Sequence, residues 1–198
     1  MKHYLSTLCV AFSLCLSAPG FAQVYDVAGL QVNMTDEEVR QVMTERGYEE
    51  DIEFSKSWRS KAPTFEQAVQ MNQGAYISNK DKAGLSTLRF SKDDASIAVS
   101  FVEMEAGPRV ASVNYAVKGI DDVTFRERVH SKYGEPDSFA PLTGQSRYTA
   151  EDVDYGEYEL DESVVSQGTS VGVSAPLHRI QTERVRAIRP ETVSDTDF

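Results

Sequence analysis

The chain has 198 residues, 40% of them hydrophobic, and a formal net charge of −11 from 31 Asp+Glu against 20 Lys+Arg. That length fits one domain of ~100–200 residues and is enough to bury a core. The acidity speaks against nucleic acid and anionic lipid as partners, because phosphates would be repelled.

Met1, Lys2 and His3 form a basic leader, Leu5 to Leu16 is a mostly apolar run, and Gly20 and Ala22 give a small-x-small ending. This three-part layout predicts a secretory signal peptide over residues 1–22, cleaved after Ala22. The run is too short to span a bilayer, which needs ~20 apolar residues. Both cysteines, Cys9 and Cys15, fall inside the leader. The body therefore has no disulfide to rely on, and no Cys stands where a lipid anchor would be attached. The expectation is a soluble protein of a bacterial periplasm, or one secreted beyond it, with one domain over 23–189.

Thr35-Asp-Glu-Glu38 is a capping box, Val39, Val42 and Met43 recur at helical spacing, and Gly47 suits a helix exit. A helix over 36–46 follows. Ile52 and Phe54 alternate with charged residues, which predicts a short strand reaching toward Trp58. Thr64-Phe-Glu-Gln67 is a second box and opens a short helix to Asn72. Residues 74–84 read as loop.

Alternation then predicts three strands, with 97–117 a hairpin turning on Glu105-Ala-Gly-Pro108. Asp121 or Asp122 caps another helix, whose Phe125, Val129 and Tyr133 share a face, and Gly134 and Pro136 end it. Residues 137–145 read as loop. Strands are expected over 147–150, 158–166, 169–175 and 180–188, and 190–198 reads as a disordered acidic tail. The element order predicts an α+β fold with helices packed on one face of an antiparallel meander sheet. It also reads as two unequal helix-plus-strands units, 24–118 and 119–189.

The stretch Gly29 to Met43, closing on Gly47-Tyr48, resembles the first helix of small envelope modules of the SmpA/BamE type, and the fold of β-lactamase inhibitor protein is similar. Met34, Thr35, Glu38 and Val39 match the Gly-x-x-x-Gly-Met-Thr-x-x-Glu-Val run of those modules, and Asn33 stands where the second glycine is usual. Phe125 to Pro136, with its Tyr133-Gly134-Glu-Pro136 ending, resembles the helix exit of related periplasmic domains. The resemblance implies a helix on an antiparallel sheet and a module that binds other proteins. It carries over no functional residue.

Gly168-Thr-Ser-Val-Gly172 matches the Gly-x-Ser-x-Gly nucleophile pattern, which needs Ser170 on a strand-to-helix elbow with an acid and a His downstream. The flanks read as strand, and no acid lies between Ser170 and His178. His130 and His178 are the only histidines after the leader, too few for a typical catalytic zinc. Glu151 to Glu162 holds seven acids in twelve residues, but Gly156 and Ser163 break the calcium-loop spacing. Arg179, Arg184, Arg186 and Arg189 on a neighbouring strand are the expected counter-charges. Trp58, Tyr148, Tyr155 and Tyr158 are candidate partner-binding aromatics if they share an exposed sheet face, and core residues otherwise.

No catalytic set, metal site or cofactor site is expected. The sequence points to an exported protein-binding module of the bacterial envelope with a protein partner, basic in charge if the acidity serves steering. Three alternatives stay open: an inhibitor or immunity-type protein that neutralises a secreted enzyme, a hydrolase using Ser170 or the carboxylates of 151–162, and a calcium-dependent structural protein.

Overall fold

The computed structural model describes residues 24–188. The expected leader (1–22), Gln23, Arg189 and the expected tail (190–198) lie outside the described residues. The chain enters through a tight turn at 27–30 and then forms helix α1, Asp36–Glu45. Thr35 accepts from the Glu38 amide while the Glu38 carboxylate accepts from the Thr35 amide, which closes the capping box. Strand β1 (Glu49–Glu50), helix α2 (Ile52–Lys56), a 3₁₀ turn (Trp58–Ser60) and strand β2 (Lys61–Ala62) follow. Helix α3, Phe65–Asn72, opens on the second capping box, Thr64 with Gln67.

The remaining strands are β3 (Gly84–Leu85), β4 (Thr87–Lys92), β5 (Ala95–Met104) and β6 (Gly107–Val117), then β7 (Ser138–Ala140), β8 (Gln145–Asp154), β9 (Glu159–Gln167) and β10 (Ser170–Ser174). Helix α4, Asp122–Tyr133, sits between β6 and β7, capped by Asp121 through the Val123 and Thr124 amides. Helix α5, Leu177–Ala187, closes the described chain.

Eight strands form one antiparallel sheet in the order β1-β4-β5-β6-β10-β9-β8-β7, and β2 pairs β3 separately. The strands of 24–118 and those of 119–188 meet where β6 pairs β10, the last strand of each half. The fold is therefore α+β with helices alongside an antiparallel meander. Residues of both halves share one core.

The sheet has one buried and one open side. Leu88, Val99, Val113, Val173, Val164 and Tyr148 are cross-strand partners in unbroken register over six strands, and all are buried. Fully burying each such Val or Leu contributes ~1.5–3 kcal/mol. Val39 and Met43 of α1, Phe125 and Val129 of α4, and Tyr25, Val27 and Leu30 from the entry segment complete this core.

Two expected strands are helices. Residues 52–56 form α2, because the Asp51 side chain accepts from the Phe54 amide and nucleates a turn. The Phe54 ring then stacks under Arg89, whose guanidinium carbon lies 3.9 Å from the ring centre. Residues 177–187 form α5, with Leu177 and Val185 buried and Ile180 packed against the core. Trp58 lies in the 3₁₀ turn and not in a strand. The expected loop at 137–145 contains the short edge strand β7.

Candidate functional site

Strand residues alternate sides, so the partners of the core row define an outward face. The first outward row runs Thr87, Ser100, Ser112, Ser174, Ser163 and Thr149, directly opposed on six strands. Every member carries a hydroxyl, and Ser163 and Ser174 bring theirs to 3.4 Å. A second row runs Arg89, Ala98, Asn114, Gly172, Val165 and Arg147. A third runs Ser91, Ser96, Ala116, Ser170 and Gln167. At the ~4.8 Å strand spacing the six strands make a surface about 25 Å wide.

No residue in these rows is acidic, although the chain holds 31 acids. The cations Arg89 and Arg147 stand at its two ends. Carboxylates begin at the borders: Glu49 of β1, which pairs Ser91, Asp51 beside β4, Asp161 two residues before Ser163 on β9, and Asp137, which accepts from the Thr149 amide at 2.6 Å and its hydroxyl at 2.7 Å. Two depressions, of about 360 and 380 Å³, lie on this face and share Asn114. Gly172 lies in the floor of the second. A Cβ there would sit 2.9 Å from the Val113 carbonyl oxygen, so the gap beside Asn114 is built into the backbone. Helix α2 walls the β4 end through the Phe54–Arg89 stack.

The structure does not unite the four aromatic candidates on an exposed sheet face. Tyr148 is 1% exposed and belongs to the core row. Tyr155 and Tyr158 pack against each other, ring centres 5.9 Å apart, and both hydroxyls are spent internally. Tyr155 donates to Glu162 at 3.1 Å and Tyr158 donates to Asn33 at 2.6 Å. Trp58 is 59% exposed and stands apart from them.

Ser170 opens β10 after a hairpin turn at Gly168, and its hydroxyl donates to the Gln167 carbonyl at 2.9 Å. This is a strand-to-strand turn, without the helix that a nucleophile elbow requires. His178 lies exposed in the first turn of α5. His130 is half-buried on α4, edge-on to Tyr148, with its Nε2 3.5 Å from the Ser146 hydroxyl. Among the described residues, no three His, Cys, Asp or Glu side chains gather as a metal-binding group.

The acids of 151–162 spread along the β8–β9 hairpin. The expected cross-strand arginines lie on a helix instead, and of Arg179, Arg184 and Arg186 only Arg184 reaches them, bridging Glu157 and Glu105 at 3.1 Å each. Glu162 alone turns inward. Fully buried, it accepts from the Tyr25 amide at 2.7 Å and from the Tyr155 hydroxyl. Burial pushes its carboxyl above the usual range, although these two donors oppose the shift. Burial likewise raises the Tyr155 phenol, with the Glu162 charge adding to it. Alternation within the expected strand 158–166 places Glu162 on the side of Leu160 and Val164, a signal that reading 151–162 as one solvated acidic stretch passes over.

No helix among the described residues is long and apolar enough to cross a membrane. Comparison with known protein families, with curated proteins and with solved structures found no match for this chain.

Proposed function

We propose that this protein is an exported, non-catalytic binding module that holds a protein partner on the uncovered face of its sheet. One observation carries the reading: from β4 to β8 the three outward rows are mostly small hydroxyl, alanine and glycine residues, with Asn114, Val165 and Gln167 among them, Arg89 and Arg147 at the ends and no carboxylate, in a chain of net charge −11. A face that served only solubility would carry charges of both signs. Interface centres are depleted of charge. Small side chains also lose little rotamer freedom on contact and leave room for a partner's aromatic or arginine anchors. Export rests on the leader, and the intact mass of the product from a secreting host should begin at Gln23.

The inhibitor or immunity form of this reading uses the same face, and the overall acidity favours it through steering of a basic target. The hydrolase reading has less support, because the Ser170 hydroxyl is hydrogen-bonded to a backbone carbonyl.

Site-specific photo-crosslinking in the producing cells tests the proposal. A photoreactive side chain at Asn114 should give a discrete partner adduct, and one at Glu127 on α4 should not. Equal adducts at both positions, or none at Asn114, would overturn it.

A further inference from the structure

The opposite side of the molecule holds a second feature. Between α4 and the 27–29 turn lies a cavity of about 310 Å³. Its floor is apolar: Val117 and Val171 from the sheet, Val27 from the entry segment and Val129 from α4. Tyr115 and Phe125 lie nearly parallel within it, ring centres 6.4 Å apart and planes 10° apart. Arg46, Arg128 and Lys132 stand at its walls, and no carboxylate lines it. Three cations around one apolar cavity is unexpected in a chain of net charge −11.

Two of the three form no close ion pair, although Arg46 lies near enough to Asp26 to feel its charge. Lys132 pairs with Asp26 at 2.8 Å, and Asp26 also accepts from the Gly29 amide. Neither Arg46 nor Arg128 has a carboxylate within ion-pair distance among the described residues. The Arg46 guanidinium is nonetheless positioned. It lies against Gly29, where a Cβ would come within 2.7 Å of its Cζ, and Gly29 takes φ +78°. The hydroxyls of Tyr25, Tyr133, Tyr155 and Tyr158 are hydrogen-bonded, whereas those of Tyr48 and Tyr115, both at the cavity, have no partner among the described residues. The adjoining depression shares Tyr48, Val117 and Arg128 and carries charges of both signs, Lys92 and Lys118 with Asp93 and Asp94.

We propose that this cavity binds a small amphiphilic carboxylate, with its aliphatic or aromatic body on the Tyr115–Phe125 floor and its head on Arg46 and Arg128. Guanidinium forks match carboxylate geometry, and the apolar floor repays burial of the body. The volume falls at the low end of the ~300–1,000 Å³ of small-molecule pockets, which suits one short chain or ring. The site lies on the helical side of the sheet and does not depend on the open face.

Calorimetric titration of the purified protein with decanoate tests this, with decanol as the uncharged counterpart and phosphatidylglycerol vesicles as the membrane alternative. Decanoate should bind saturably at one site, and decanol about tenfold or more weaker. The double variant Arg46→Ala/Arg128→Ala, both exposed positions, should weaken decanoate about tenfold while leaving thermal unfolding unchanged. Equal binding of decanol, decanoate affinity untouched by the double variant, binding to vesicles alone, or no binding would each overturn the proposal.

Discussion

Glu162 is a carboxylate with no exposed surface, held by one backbone amide and one phenol. Its folded pKa is raised above the unfolded value near ~4.3, so the folded state keeps the proton to higher pH than the unfolded chain does. The stability tied to this group is therefore fully present below the unfolded pKa and is lost as pH rises through the folded value. Glu162→Gln removes the titration while keeping a carbonyl acceptor. In urea unfolding, its stability relative to the parent should rise as pH climbs from the unfolded value near ~4.3 through the raised folded one; a pH-independent difference would contradict this account. Asn33 shows what a single residue can conceal. It adopts φ +70°, a conformation that favours glycine and that asparagine tolerates, and its side chain accepts the Tyr158 hydroxyl. A glycine there would satisfy the backbone but lose that long-range tie.

The longer helices with a side-chain cap were legible from sequence. Helices α1 and α3 each carry a complete capping box, and α4 has Asp121. Thr64→Ala should cost α3 about 1 kcal/mol, read as a lowered urea midpoint with an unchanged slope; no shift would mean the box is incidental. Helix α5 gave no such signal. Pro176 at its N-cap offers no side-chain bond, and its Ile and Val residues read as strand formers. Helix α2 is five residues long, short enough that Ile52 and Phe54 satisfy either periodicity. The aromatic candidates failed for a related reason. Alternation says that Tyr148 and Arg147 face opposite sides, but only the β8–β9–β10 register shows that Tyr148 extends the core row.

At the scale of the molecule, the alternation within each strand was readable, and so was the α+β class. The open face was not, because it depends on β6 pairing β10 across more than fifty residues of chain. That pairing aligns hydroxyls contributed by separate strands into one row. It also shows how an acidic protein acquires rows free of acids: the carboxylates of 151–162 lie along the far end of the β8–β9 hairpin, except Glu162, which is turned into the core. The central claim is that a partner covers this face. The only cysteines are Cys9 and Cys15, so single engineered cysteines report cleanly in a protein in which both are replaced by Ser. Maleimide labelling of Asn114→Cys and Glu127→Cys should proceed equally in purified protein. In fresh extract of the producing cells, Asn114→Cys should be protected and Glu127→Cys should not; equal labelling of the two in extract would contradict the claim.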